Sequence, residues 1–132
     1  MNNPLDLKMR VLVVDDEKFV ADTLALILQG DGHEASAVYD GNAALRKSES
    51  FIPDCIISDV IMPGMTGIEL CSAIEKKYPD CQILLFSGQA STSELVEKAR
   101  SEGHCWELLA KPIDPEELLA KVASLQTNRP RR

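Results

Sequence analysis

Short apolar runs alternate with stretches of helical spacing five times along this chain. The run at residues 11–14 is apolar throughout, and over residues 17–29 apolar side chains recur three or four positions apart, the spacing of one helix face. The run at residues 55–58 is almost continuously apolar, as is typical of a parallel strand covered on both faces. This alternation predicts an α/β fold in which helices cover both faces of a parallel sheet and the crossovers are right-handed.

The pattern predicts five strands and five helices. The predicted strands are residues 11–14, 33–38, 55–58, 81–86 and 106–109. The predicted helices are residues 17–29, a short helix between Asp40-Gly41 and Pro53, a helix from residue 68 that closes at Tyr78-Pro79, residues 93–101, and a last helix that begins at Asp114-Pro115 and runs to residue 125. A capping acid followed by proline is a typical helix start, which fixes the beginning of the last helix.

The composition fits one globular domain that builds its own core. The chain has 132 residues, of which 45% are hydrophobic and 27% charged. We predict an N-terminal extension over residues 1–9, one domain over residues 10–126, and a polar, basic tail over residues 127–132.

Charge and hydropathy argue against two classes of partner. The formal net charge is −7, so direct nucleic-acid binding is not expected. No apolar stretch reaches the roughly 18 residues of a membrane span, and the N-terminus lacks the basic and then apolar pattern of a signal peptide. We therefore expect a cytoplasmic protein without a membrane partner.

The cysteines and histidines lack the spacing of metal or redox sites. The four cysteines contain no Cys-x-x-Cys pair, so we expect reduced core thiols. His33 and His104 are expected at the surface or at the edge of the core, without a metal role.

Carboxylates follow two of the predicted strands. Asp59 ends the third strand and Asp15-Asp16 follows the first. In open α/β sheets the ligand crevice lies outside the carboxyl ends of the strands, so these side chains are expected to converge. Three carboxylates repel one another unless a hard cation lies among them, and an all-oxygen ligand set suits Mg²⁺. Ser87 and Lys111 follow the fourth and fifth strands at the same edge, where they would offset the charge of a transferred phosphoryl group.

Each of these residues has a simpler interpretation when taken alone. An acid at a strand end is usually a turn residue, and Asp15-Asp16 could cap the following helix. Ser87 could complete a turn, and Lys111 could be a solvated cation. Their joint occurrence at successive strand ends favours the phosphoryl site.

The motifs resemble those of the receiver domains of two-component response regulators. The motifs, in family order, are Asp15-Asp16, Asp-x-x-Met-Pro-x-x-x-Gly from Asp59 to Gly67, Ser87-Gly88 and Lys111-Pro112. The similarity covers nearly all of residues 10–125 and is strongest to the single-domain, chemotaxis-regulator type. It implies a flavodoxin-like (βα)5 fold with a doubly wound five-stranded parallel sheet of strand order 2-1-3-4-5.

The resemblance also implies an Mg²⁺ site and a phosphoacceptor. Asp59 corresponds to the aspartate that attacks a phosphohistidine or a small phosphodonor. Asp16 corresponds to the direct metal ligand and Asp15 to a ligand acting largely through water. Asp59 and the backbone carbonyl of Ile61 complete the protein ligands.

Two further residues correspond to the conformational response. Ser87 matches the hydroxyl that turns toward the phosphoryl group, as an accepted variant of threonine. Lys111 matches the cation that pairs with Asp59 or with its phosphoryl oxygens. The Lys111-Pro112 bond is expected to be cis, which costs little for an X-Pro bond.

The chain departs from the family pattern at the switch aromatic. Three residues before Lys111 stands Leu108, and the single tryptophan, Trp106, lies two residues earlier on the same strand face. Trp106 is therefore the candidate substitute for a swinging aromatic residue. Ile61 and Gln89 occupy positions that modulate how water reaches the phosphoryl group.

The sequence thus predicts a stand-alone receiver that is phosphorylated on Asp59 by a sensor histidine kinase or a histidine phosphotransfer protein. It would signal to an unknown downstream protein through the surface of the fourth helix, fifth strand and fifth helix. One alternative is a receiver fragment of a longer regulator. A phosphatase of the haloacid dehalogenase type would need Asp-x-Asp-x-Thr, a pseudo-receiver would lack one of the key residues, and a dinucleotide-binding protein would need Gly-x-Gly-x-x-Gly after the first strand.

Overall fold

The computed structural model describes residues 9–88, 92–104 and 106–127, which form a five-stranded parallel sheet of order β2-β1-β3-β4-β5. The strands are β1 (Arg10–Val14), β2 (Glu34–Val38), β3 (Cys55–Asp59), β4 (Gln82–Ser87) and β5 (Glu107–Ala110). The helices are α1 (Lys18–Gly30), α2 (Gly41–Phe51), α3 (Gly67–Lys77), α4 (Thr92–Ser101) and α5 (Pro115–Thr127). The predicted fold and strand order are confirmed.

Two apolar cores lie on opposite faces of the sheet, because successive strand residues point to opposite sides. On one face the strands pack against α1 and α5. On the other they pack against α2, α3 and α4. The central strand β3 is buried along its whole length, which accounts for its nearly continuous apolar sequence and fixes Asp59 at the edge of the sheet.

Several element ends differ from the prediction by one or two residues. Helix α1 begins at Lys18, not at residue 17, because the Glu17 N–H is bound by the Asp15 carboxylate (2.9 Å) before the helix starts. Strand β5 begins after Trp106, and α5 continues to Thr127.

The loop after β3 is held close to the strand by a helix cap. Thr66 and Glu69 form a capping box at the start of α3, with hydrogen bonds of 2.9 and 3.1 Å. Gly67 donates its N–H to the Val60 carbonyl at 2.8 Å. A Cβ atom at Gly67 would overlap the Asp59 carbonyl group, so glycine is required where the loop passes behind the site.

His33 is buried, which corrects its expected surface position. Its side chain is 7% exposed, and its Nδ1 accepts the Met9 N–H at 3.2 Å. Burial lowers the pKa of His33 against the opposing effect of Asp31. An accepting Nδ1 and a lowered pKa both keep this imidazole neutral.

The described cysteines lie in the two cores. Cys55, Cys71 and Cys81 are free and buried, and burial raises the pKa of Cys81 to about 12. Across the described ranges, none of the helices combines the length and apolar character that a membrane span requires.

Candidate functional site

The carboxyl ends of four strands meet around a pocket of about 410 Å³. Parallel strands place these ends at one edge of the sheet. Pairing of Asp59 with Phe86, and of Ser87 with Ala110, brings the ends of β3, β4 and β5 side by side. The pocket, called here the acidic pocket, is lined by Asp16, Glu17, Asp59, Ile61, Pro63, Ser87, Gly88 and Lys111.

The Lys111 ammonium joins the carboxylates of two strand ends. Its Nζ lies 3.0 Å from Asp15 Oδ2 and 3.0 Å from Asp59 Oδ2, and 3.7 Å from Glu17 Oε1. It also lies 5.0 Å from the centre of the Phe86 ring, within cation–π range. Burial alone would lower the pKa of Lys111, but the hydrogen bonds to Asp15 and Asp59 outweigh it and the pKa is raised. The side chain therefore remains a cation.

Asp59 is a nearly buried carboxylate, with 8% of the residue exposed. Burial raises its pKa above the ordinary value, against the opposing effects of the Lys111 ammonium and of the Ile61 N–H. That N–H donates to Asp59 Oδ1 at 3.3 Å, while Lys111 binds Oδ2. The carboxylate is thus oriented through both oxygens, and one side of it faces the acidic pocket.

The acids form a cluster that fits a hard divalent cation. Asp15, Asp16 and Asp59 each offer a carboxylate oxygen, and these atoms lie within 4.8 Å of one another. Asp15 is fully buried and Asp16 exposed. One ammonium does not neutralise three carboxylates at this spacing, and an all-oxygen donor set matches the preference of Mg²⁺.

The connection after β5 is fixed to β4. The Lys111 N–H donates to the Ser87 carbonyl at 2.9 Å, and the Lys111-Pro112 bond is cis. A Cβ atom at Gly88 would lie 3.4 Å from Lys111 Cβ, so the small residue leaves the lysine side chain room to run past the end of β4.

The structure brings together most of the residues predicted for the site. Asp16, Asp59, Ile61, Ser87 and Lys111 line the acidic pocket, and Asp15 lies behind it, against Lys111. Leu108 lies within β5 and is 42% exposed. Gln89 lies outside the described residues.

Trp106 lies at the other end of β5, away from the acidic pocket. Its Nε1 donates to Glu75 Oε2 at 3.2 Å, and its ring stacks on His104 with centroids 4.2 Å apart. His104 Nδ1 lies 2.9 Å from Glu75 Oε1. Trp106 is 9% exposed, so this tryptophan is held between α3 and β5 by contacts on two sides.

Two features of the site were not predicted from the sequence. Glu17 was assigned only as the start of a helix, yet it lines the acidic pocket; its position next to Asp15-Asp16 was the available signal. The second is an apolar cavity of about 540 Å³ between α1 and the connection from β5 to α5. Phe19, which is 81% exposed, lines it, and Gly88 and Lys111 line both cavities.

Known proteins resemble this chain over nearly its whole length. The sequence model of a family described as the response regulator receiver domain matches residues 11–123. The DNA-binding response regulator MtrA of Mycobacterium tuberculosis is 31% identical over 123 residues, which cover 92% of this chain and 53% of that protein. The response regulator MprA of Mycobacterium avium is 36% identical over 117 residues, which cover 89% of this chain and 50% of that protein. The chain therefore spans about half the length of these curated relatives.

A solved structure of similar length is also alike. The chemotaxis protein CheY4 of Vibrio cholerae shares 32% identity and superposes with a TM-score of 0.79. The match covers 88% of this chain and 97% of that one.

Proposed function

Since this chain belongs to the response regulator receiver domain family, we propose that Asp59 accepts a phosphoryl group from a sensor histidine kinase or a histidine phosphotransfer protein. The observation that carries this proposal is the contact between Asp59 and Lys111. A carboxylate at the end of a buried strand lies 3.0 Å from an ammonium, and both line an acidic pocket open to a donor.

The transfer is a single displacement at phosphorus. An Asp59 carboxylate oxygen forms the new bond, and the bond between phosphorus and the donor imidazole nitrogen breaks. The electron pair of that bond stays on the imidazole, which leaves neutral when its other nitrogen carries a proton. Lys111 remains charged and stabilises the added phosphoryl oxygens.

Asp15, Asp16, Asp59 and the Ile61 carbonyl would hold Mg²⁺. The clustering of the three carboxylates supports this assignment. When bound, the ion neutralises charge that develops on the transferred group. Asp15 also accepts the Glu17 N–H and the Lys111 ammonium, so it positions two other parts of the pocket.

The apolar cavity beside the acidic pocket supports a protein donor. Phe19 presents a large exposed ring there, and Lys111 belongs to both cavities. A helix that carries the phosphohistidine would cover the apolar surface while its imidazole reaches Asp59. Burial of that surface would favour docking by the hydrophobic effect.

The response to phosphorylation starts from Lys111 and Ser87. In the unphosphorylated structure the ammonium is shared by Asp15 and Asp59, and new phosphoryl oxygens would compete for it. Ser87, at the end of β4, would turn its hydroxyl toward the same group. The signal would then reach a downstream protein through α4, β5 and α5, where Leu108 is exposed. Trp106, bound to Glu75, is a fixed packing residue in this scheme.

Mass spectrometry after treatment with acetyl phosphate and Mg²⁺ tests the phosphoacceptor. We expect one added phosphoryl group in the wild type and none in Asp59→Asn or in the presence of a chelator. Asp54→Asn, just before the opposite end of β3, is the matched control and should still be labelled. Undiminished labelling of Asp59→Asn would refute the assignment.

A second experiment tests the docking surface. Phe19→Ala should slow phosphotransfer from a sensor kinase and leave phosphorylation by acetyl phosphate unchanged, because the small donor does not use the apolar cavity. Leu26→Ala is the control, since Leu26 is 66% exposed on the same helix but does not line that cavity. Equal transfer rates in both variants would place the donor elsewhere.

A further inference from the structure

Glu17 is the outermost of the three carboxylates around the Lys111 ammonium. Its side chain is 66% exposed, whereas the Asp15 and Asp59 side chains are 0% and 11% exposed. Glu17 also lines the acidic pocket. A small molecule that enters from solvent therefore meets the Glu17 charge before it reaches Asp59.

The backbone of Glu17 is fixed, while its side chain is not needed for the fold. Its N–H donates to Asp15 Oδ1 at 2.9 Å. Its carbonyl accepts from Val20 at 3.0 Å and from Ala21 at 3.1 Å. The side chain makes no capping hydrogen bond, although Glu17 is the N-cap of α1. A change of side chain thus alters the charge at the mouth and leaves these anchors in place.

We propose that Glu17 is a specificity-determining residue that disfavours small phosphodonors in proportion to their negative charge. The inference rests on the proposed function of Asp59. Asp15, Asp16, Glu17 and Asp59 face the single ammonium of Lys111, so the pocket carries excess negative charge. Of the four acids, Glu17 is the one to which neither the metal site nor the acceptor role is assigned.

The size of the effect follows from two contacts that share Lys111 Nζ. They place Glu17 Oε1 within about 7 Å of the attacking oxygen. In water-like surroundings at an ionic strength of about 0.05 M, removal of one charge at this distance accelerates a dianionic donor about three-fold and a monoanionic donor about two-fold. At about 1 M salt both effects disappear, because the Debye length is then about 3 Å.

Acetyl phosphate and phosphoramidate provide donors of different charge, since near neutral pH they carry net charges of about −2 and −1. With acetyl phosphate, the new bond joins an Asp59 oxygen to phosphorus, the bond from phosphorus to the acetate oxygen breaks, and acetate leaves with the electron pair. With phosphoramidate, the phosphorus–nitrogen bond breaks and ammonia leaves. Neither reaction needs an additional reactant.

The experiment measures initial rates of Asp59 phosphorylation at saturating Mg²⁺ in the wild type, Glu17→Gln and Glu17→Lys. For acetyl phosphate we expect about a three-fold and about a ten-fold increase, with smaller increases for phosphoramidate and none at about 1 M salt. Glu102→Gln, which removes one charge at the opposite edge of the sheet, should match the wild type. Calorimetric titration with Mg²⁺ alone is the separate readout, and we expect a loss of affinity below ten-fold in Glu17→Gln.

Three outcomes would overturn the inference. They are equal rates in Glu17→Gln and wild type, an equal gain with both donors that persists in high salt, and a loss of Mg²⁺ affinity far above ten-fold, which would make Glu17 a metal ligand. If neither donor labels Asp59 in any variant, the proposed function itself fails.

Discussion

Replacement of Glu75 by alanine should destabilise the domain, because one carboxylate holds two aromatic residues. Glu75 Oε2 accepts the Trp106 indole N–H at 3.2 Å, and Glu75 Oε1 lies 2.9 Å from His104 Nδ1. Trp106 is 9% exposed, so water has little access to its N–H once the acceptor is lost. Alanine would remove the link from α3 to the connection before β5.

The magnitude follows from the burial of each partner. A buried donor left without a partner costs about 1–3 kcal/mol. The His104 side chain is 22% exposed and that of Glu75 39%, so water partly replaces the second contact and its loss adds less than about 1 kcal/mol. We expect Glu75→Ala to lower the free energy of unfolding by about 2 kcal/mol, or the melting temperature by about 8 °C for a domain of this size. Glu75→Gln keeps one acceptor oxygen and should lose about 1 kcal/mol.

Urea unfolding followed by far-ultraviolet circular dichroism measures these values without relying on tryptophan emission. Glu97→Ala is the matched control, because Glu97 forms an exposed pair with Arg100 in α4, a type worth less than about 0.5 kcal/mol. A double-mutant cycle with Trp106→Phe, which lacks the N–H, should give a coupling of about 1 kcal/mol. If Glu75→Ala is as stable as Glu97→Ala, or if the coupling is zero, Trp106 is not held by Glu75.

Three further predictions concern the site and its support. Ile61→Asn should speed the decay of phosphorylated Asp59, measured at matched Mg²⁺, because a polar side chain in the pocket can orient the attacking water; equal or slower decay would contradict this. His33 has a lowered pKa, so its neutral form stabilises the fold above pH 6.5, and this contribution is lost as the pH falls below that value. Urea unfolding at pH 7.5 and pH 5.5 should show about 1 kcal/mol more acid destabilisation in the wild type than in His33→Gln, and parallel pH profiles would count against it. Gly67→Ala should cost about 3 kcal/mol through overlap with the Asp59 carbonyl, whereas Gly30→Ala, which meets no neighbouring atom, should be neutral or stabilising in the same assay.

The number, type and order of the elements were predictable from the sequence. The apolar runs and the helical spacing are local properties, and they identified all five strands and all five helices. Element ends were less predictable, since they depend on single contacts such as the hydrogen bond from Glu17 to Asp15. The polar residues at the strand ends were also predictable as one group, because parallel strands place their carboxyl ends at the same edge.

Other features depend on which way side chains point once distant elements have packed. Glu17 and Lys111 are far apart in the chain, and only the fold shows that their charged atoms lie 3.7 Å apart. The contacts of Trp106 with Glu75 and His104 come from three different segments. The sequence therefore determined the fold and the acids at the sheet edge, through hydrophobic period and strand direction. The tertiary structure decided the raised pKa of Asp59, the exposed charge at the pocket mouth and the fixed tryptophan, because burial and side-chain contacts arise only when α1, α3 and β5 come together.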